Sequence, residues 1–266
     1  MATIKVKCPY CGSEEVIFYG KSRSGKQRYK CQNKECTHKT FQLEYSYKAY
    51  EPGMSETIVK MAMNASGTRD TARTLGIDKD TVTRHLRKLV DFVENTNTEF
   101  LESIQEDSQI DIIIVNPLDS GSDQEKNEPV SSVNVEMDEQ WSWYGNKRNQ
   151  DWLWWAVDHA TNTPLTFCFG TREYCNLDVL LNQLKPFNVH ICYTDHNFAY
   201  SSRIPENKLL MGKRNTQQIE RDHLTLRTRI KRLARKTICF SKDKDIHEAI
   251  IGAFINIYWF GREYVA

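Results

Sequence analysis

Long uncharged apolar runs are missing from this 266-residue chain. No stretch approaches the roughly 18 residues that a membrane-spanning helix needs. No apolar run follows the opening MATIKVKCPYC as it would in a secretory leader, so a cytoplasmic location is expected. Two motifs are missing as well. The chain has no glycine-rich phosphate loop and no serine nucleophile elbow, which leaves nucleoside-triphosphate hydrolysis and acyl transfer without support. Net charge is scarce too, at +1, but that balance conceals segregation. Residues 1–89 hold 17 Lys/Arg against 9 Asp/Glu, residues 91–135 hold 1 against 11, and residues 203–236 hold 11 against 3. Two basic modules flanking an acidic connector fit phosphate-bearing partners at a near-neutral pI.

Eight cysteines in a reducing compartment read as metal ligands or free thiols, not disulfides. Cys8-Pro-Tyr-Cys11 and Cys31-Gln-Asn-Lys-Glu-Cys36 are separated by residues 12–30, which contain the β-prone segments EEVIFYG and QRYKC around a turn-rich KSRSGK. Two knuckles across a hairpin make a zinc ribbon. Four thiolates suit one tetrahedral Zn²⁺, and so small a module has too little core to fold without it. His38 is near enough to be weighed as a ligand, although an exposed polar role suits it better. Cys168, Cys175, Cys192 and Cys239 lack paired spacing and read as small core residues.

Helical patterns follow in MSETIVKMAM, TRDTARTLG and DKDTVTRHLRKLVDFV. Gly76 ends the second, Ile77 packs across the turn, and Asp78 or Asp80 caps the third. This is helix-turn-helix punctuation. The third helix is expected to turn Lys79, Thr83, Arg84 and Arg87 outward to DNA and Val82, Leu86 and Leu89 inward. The alternative is a small bundle with a solvated charged face. Beyond residue 93 the chain turns acidic. Phe92, Val93, Phe100, Leu101 and Ile104 offer an apolar stripe for a subunit contact or for packing on their own domain, IDIIIV a short strand, and NPLDSGSDQEKNEPVSS a linker.

Three strand patterns come next, VNVEMDEQWSWYG, DWLWWAVDH and PLTFCFG, followed by a helix in NLDVLLNQLKPF, a strand in VHICYTD, and later helices. That order is the order of a ribonuclease-H-like α/β core. It places Asp138 on the first strand and Asp195 at the end of the fourth, at one sheet edge. Residues 196–219, 24 positions, separate Asp195 from Glu220, which lies in the helical pattern NTQQIERDHLTLRTRIKRLARK. Three carboxylates so placed can converge to hold two Mg²⁺ ions that clamp the attacking and leaving oxygens of a phosphodiester. Glu136 and Glu139 compete with Asp138 for its role. Each acid taken alone is an ordinary strand-edge or helix-surface residue; it is the three in this order that point to a metal site.

One long helix is expected to carry Arg221, Arg227, Arg229, Lys231, Arg232, Arg235 and Lys236 beyond Glu220. Arg227, two turns along the same face, can reach a phosphate at the metals. Lys213, Arg214 and Lys231 are further candidates for the DNA backbone, with a solvated helix face as the alternative. The tryptophans at 141, 143, 152, 154 and 155 read mostly as core, with one exposed ring available to stack on a base. His196 and His223 adjoin the acids and are best read as ordinary hydrogen-bonding residues, with positioning of water or phosphate as the alternative.

With CPYC, GKQRYKC, the helix-turn-helix, MDEQW, YTD, TQQIER, LTLR, RLARKTICFSK and IIGAFINIYWFG on the page, the chain resembles the DDE transposases of the bacterial insertion sequence one family over nearly its whole length. The 24-residue spacing is that family's spacing. It departs at His223, where the family usually has Asn, and at His196, where a small or acidic residue is more familiar. The resemblance implies Asp138, Asp195 and Glu220 as the catalytic triad, zinc in the ribbon, and terminal inverted repeats as substrate. The expected organisation is a zinc ribbon over 1–45, a helix-turn-helix domain over 46–93, an acidic connector over 94–132 and a ribonuclease-H-like catalytic domain over 133–266. The expected activity is cleavage of 3′ ends and their joining to target DNA with two Mg²⁺ (or Mn²⁺), by a homodimer or larger assembly. The rivals are a DNA-binding repressor or domesticated DNA-binding protein without transposition activity and a nuclease or RNA-strand hydrolase on the same fold.

Overall fold

The structure, a computed structural model, describes residues 5–110, 132–212 and 216–264. Lys213, Arg214, most of IDIIIV and all but the last residue of the linker NPLDSGSDQEKNEPVSS lie outside the described residues. Among the described residues no helix is long and apolar enough to cross a membrane. The chain divides into two compact units, one of residues 1–61 and 67–85 and a second dominated by residues 86–265.

The first unit opens with a three-stranded antiparallel sheet, β1 (Val16–Lys21), β2 (Gln27–Cys31) and β3 (Thr40–Gln42). The hairpin matches the two expected β-prone segments, whereas β3 is too short to show a period in the sequence. Cys8, Cys31, Cys36 and Phe41 form its small core, with Val6, Val16 and Tyr29 against it. The helices α1 (Met54–Met63), α2 (Thr68–Leu75) and α3 (Lys79–Arg87) follow. Gly76 closes α2 in the left-handed region at φ 67°, the conformation a residue with a Cβ adopts at a cost. Asp78 caps α3 by accepting from the Asp80 N–H at 2.7 Å. The Tyr47 hydroxyl accepts from the Asp78 N–H at 2.9 Å and lies 3.2 Å from the Thr81 hydroxyl, fixing the start of α3. The expected third helix is not continuous: it stops at Arg87, and a single turn, α4 (Leu89–Phe92), belongs to the second unit.

The second unit is built on a five-stranded sheet in the order β6-β5-β4-β7-β8, with β4 (Val133–Trp143), β5 (Gln150–Asp158) and β6 (Pro164–Gly170) antiparallel and β7 (Val189–Thr194) and β8 (Leu209–Met211) parallel to β4. This is the expected ribonuclease-H-like α/β arrangement, with β8 as an added edge strand. β4 is central and covered on both sides, so both of its alternating faces are buried. On one face Val133, Val135 and Met137 pack with Leu177, Leu180 and Leu184 of α6 (Tyr174–Leu184) and with Tyr200 of α7 (Phe198–Arg203). The opposite face meets α8 (Gln217–Arg229) and α9 (Lys244–Tyr258), where Trp155 stands against His223 and Trp259. Helix α9 is buried nearly all round, from Ala249 to Asn256.

The first residues of the expected connector are part of this core. In α5 (Thr98–Ile110), Phe100, Leu101 and Ile104, partly buried, pack on the cluster of β4 and α6, so this part of the stripe packs on its own domain. Asn256, fully buried on α9, accepts from the Glu94 N–H and donates to the Glu94 carbonyl, at 3.0 and 2.9 Å. Two other expectations are corrected. Cys175 and Cys239 are exposed, unlike buried Cys168 and Cys192. The basic helix ends at Arg229, because Ile230 leaves the helical region at ψ 94° to bury its side chain with Leu233. Arg232 is consequently buried and donates to the Ser241 hydroxyl, and desolvation lowers its guanidinium pKa to about 10.

His247 of α9 is wholly buried between Ser142 (2.9 Å from Nε2) and Ser241 (3.1 Å from Nδ1). The Ser142 hydroxyl donates to the Asp151 carbonyl at 2.7 Å, so Nε2 carries the proton in a neutral ring. Burial, with Arg232 nearby, pushes its pKa down to about 3. The unfolded chain binds a proton near pH 6.5 and the folded chain does not. The stabilisation is thus complete above pH 6.5 and is lost progressively as pH falls toward 3. In denaturant titrations, the drop in stability from pH 7 to pH 4 should be steeper for the wild type than for His247→Gln; equal slopes would show that His247 carries no such linkage.

Candidate functional site

β4 and β7 run parallel with Glu136 level with Tyr193, so two residues further on Asp138 stands level with Asp195, the first residue beyond β7. Both carboxylates are half-buried. Asp138 accepts from the Glu139 N–H at 2.8 Å, and its other oxygen lies 3.2 Å from Nδ1 of His223. Asp195 accepts from the Asn197 N–H at 2.9 Å. Tyr200 lies beneath them: its hydroxyl pKa is raised well above the ordinary range, first by burial and then by the charges of Glu139, Asp138 and Asp195.

Glu220 occupies the first turn of α8 and is exposed. Two contacts seat that helix on β4. The Ile219 N–H donates to Glu136 at 3.2 Å, and His223, one turn beyond Glu220, reaches Asp138. Arg227 is partly buried, and its guanidinium pKa is lowered by desolvation and by Arg235, with Asp138 acting in the opposite sense. The structure thus brings Asp138, Asp195, His223 and Arg227 into one neighbourhood and sets Glu220 on the helix above it. It does not close the three acids into a tight cluster: among the described residues, only the four N-terminal thiols bring three or more ligand atoms within 4.8 Å of one another.

Sequence reasoning named Glu136 and Glu139 only as competitors of Asp138 and missed their buried pairings. Glu136 is buried and paired with His159 Nδ1 at 2.7 Å. Glu139, on the opposite face of β4, is buried too and accepts from Arg172 Nε (2.9 Å), Arg172 Nη2 (2.5 Å), Asn197 Nδ2 (2.8 Å) and the Tyr200 hydroxyl (2.9 Å). Burial pushes its pKa up, while Arg172 and Tyr200 pull it down. Two acids on a strand bounded by apolar residues were the available signal. Their partners, 23 to 83 residues away, had none.

In the ribbon, Cys8 and Cys36 Sγ are 3.8 Å apart and Cys11 and Cys31 Sγ 3.6 Å apart. A tetrahedral zinc with Zn–S bonds of about 2.3 Å sets its sulfurs about 3.8 Å apart; these two separations match it, and all four thiols lie within 4.8 Å of one another. Gly12, at φ 70°, donates its N–H to the Cys8 carbonyl at 2.9 Å and turns the first knuckle back. His38 is outside the set, its ring stacked on Tyr10 at 4.1 Å.

On α3, Lys79, Arg84 and Arg87 are exposed, whereas Val82 and Leu86 are buried, as is Leu89 on α4. Thr83 is half-buried and its hydroxyl donates to the Lys79 carbonyl at 3.1 Å. Lys231 is exposed in a short 3₁₀ turn after α8. Of the tryptophans, Trp154 and Trp155 are core, Trp152 is half-buried and Trp141 is partly exposed.

Comparison with known proteins fits this arrangement. Residues 1–37 match the family described as the InsA N-terminal domain, residues 45–89 the InsA C-terminal domain, and residues 131–261 the IS1 transposase family. The insertion element iso-IS1n protein InsB of Shigella dysenteriae is 50% identical over 125 residues, 47% of this chain and 95% of that protein. The IS1 protein InsB of Shigella sonnei is 42% identical over 125 residues, 47% of this chain and 95% of its own length. The IS1 9 protein InsB of Escherichia coli K12 is 42% identical over 132 residues, 49% of this chain and 79% of its own length. With a zinc ribbon, a helix-turn-helix and a DDE domain in that order, the chain belongs to the IS1 transposase family.

Proposed function

We propose that this transposase binds the terminal inverted repeats of its own insertion sequence through residues 1–45 and 46–93, and that residues 133–266, with α5 packed on them, cleave the 3′ ends and join them to target DNA. The observation that carries this reading is the β4–β7 register, which sets Asp138 level with Asp195 under the helix bearing Glu220. An all-oxygen carboxylate set suits a hard divalent cation. Asp138, Asp195 and Glu220 would together hold two Mg²⁺ or Mn²⁺ ions. Bound there, such ions supply an activated water for hydrolysis and charge neutralisation at the phosphodiester during attack by the freed 3′-OH. The chain's own groups hold the geometry. His223 and the Glu139 N–H orient Asp138, Asn197 orients Asp195, and Arg227, with Lys231 and the segment of Lys213 and Arg214, holds phosphates. Zinc in the thiol tetrahedron stabilises the ribbon, while Lys79, Thr83, Arg84 and Arg87 present α3 to a major groove. Two ends must be held together while each is cut, so the active form on DNA is at least a dimer, acting in the cytoplasm.

Asp138→Asn, Asp195→Asn and Glu220→Gln should each abolish cleavage and joining while end binding stays within about twofold, because each amide keeps the shape but loses the charge that holds the cation. A strand-transfer assay on labelled ends with parallel binding measurements checks this. Substantial turnover by the Asp195 or Glu220 variant would falsify the assignment, and tight end binding by an inactive wild type would favour the repressor reading.

Metal analysis of the full chain should find one zinc per protomer, lost on Cys11→Ser with Cys36→Ser. Full retention of zinc by that double variant would rule out the four-thiol site. Arg84→Ala should weaken end binding roughly 5- to 100-fold, and a fragment from residue 130 onward should not select ends; selection by that fragment equal to the whole chain's would defeat the two-module reading.

A further inference from the structure

Arg172 follows β6, far from the basic helix, and was not marked by the sequence. Its guanidinium is held on two sides. Nε and Nη2 both donate to the buried Glu139, and the plane lies over the Trp152 ring at 4.8 Å. Its side chain is nonetheless half exposed, and among the described residues Nη1 has no hydrogen-bond partner. Arg172 lines an open depression with Tyr174, Asp195, His196, Asn197 and Phe198.

The wiring is specific. Glu139 also accepts from Asn197 Nδ2, while the Asn197 N–H donates to Asp195. One buried carboxylate therefore fixes both the arginine and the loop that carries Asp195. An arginine involved only in satisfying Glu139 needs no exposed edge, because Tyr200 and Asn197 already serve that carboxylate. A guanidinium whose rotamer is set in advance loses little entropy on gripping an anion, and a planar donor edge suits phosphate oxygens.

We propose that Arg172, clamped by Glu139 over Trp152, is a phosphate-binding residue of the active site that grips the DNA backbone on the Asp195 side. Arg227 and α8 lie on the other face of β4, so the strand is held by arginines from both sides of the acid pair. This assignment rests on the reading of Asp195 as catalytic.

The test uses the full-length protein and element ends carrying a single methylphosphonate, scanned across the phosphates flanking the cleavage site. Arg172→Ala should slow cleavage roughly 10- to 100-fold, the loss expected of one charged hydrogen-bonding partner. One neutralised phosphate should slow the wild type by a similar factor and have no further effect on Arg172→Ala. Losses that multiply at every phosphate, or wild-type cleavage by Arg172→Ala, would overturn the proposal. Arg172→Lys, which keeps a cation beside Glu139, goes through the same scan in case the alanine variant does not fold, with the same two outcomes. Ethylation interference without divalent ion gives a readout independent of turnover. The interfering phosphate should vanish in Arg172→Ala and persist in Asp195→Asn; its persistence in Arg172→Ala would also refute the contact. Turnover by Asp195→Asn would remove the catalytic reading separately.

Discussion

Two carboxylates buried in the central strand, Glu136 and Glu139, govern how the catalytic domain is assembled. A charge in that environment is costly unless it is paired and hydrogen-bonded, and removing a partner from such a pair typically costs about 3–5 kcal/mol. A buried methylene contributes only about 0.8 kcal/mol. Polar satisfaction therefore outweighs small changes in packing here. Glu136 draws in His159 from the β5–β6 turn and the first turn of α8. Glu139 draws in Arg172 and α7. Asp138 lies between them on the same strand, so the elements bearing Asp195 and Glu220 are placed by the demands of its neighbours.

This explains what could be read from residues and what could not. Strand order, the Cys tetrad, the end of α2 and the start of α3 are local signals of period, spacing and Gly76 or Asp78 chemistry, and they were legible. Asp138 and Asp195 were legible as acids at strand positions. Their level placement depends on the register between β4 and β7, which pairs residues more than fifty positions apart. The break at Ile230 was not legible, because the charge pattern runs on through Lys236 while Ile230 and Leu233 turn inward. β3 and β8, three residues each, are too short to show alternation. The stripe of α5 was visible, but the core it packs on was not.

The ribbon shows the opposite dependence. Its core is three buried cysteines and Phe41 with a few partly buried neighbours, too small to offset the conformational entropy of ordering some forty residues at about 1–2 kcal/mol each. Its order therefore turns on what the thiols bind. Local spacing sufficed to find it, since the knuckles supply the ligands and the hairpin only brings them together.

On the proposed reading, Asp138, Asp195 and Glu220, with buried Glu136 and Glu139 beside them, concentrate negative charge where a polyanion would approach, and at an effective dielectric of about 20 a pair of like charges 4 Å apart costs about 4 kcal/mol. Divalent cations held by those acids would relieve that repulsion at the reacting phosphate only. The adjoining phosphates need cations from the protein, placed close but not able to collapse onto the acids. Partial burial restrains Arg227, with Arg235 beside it. Arg172 is restrained by Glu139, which takes two of its donor nitrogens and leaves Nη1. A flexible lysine in either place would be free to pair with Asp138 or Asp195 and compete with the metal. A planar guanidinium held by its own carboxylate cannot do so without breaking that pair, so the glutamate preserves both the arginine's geometry and the aspartate's availability.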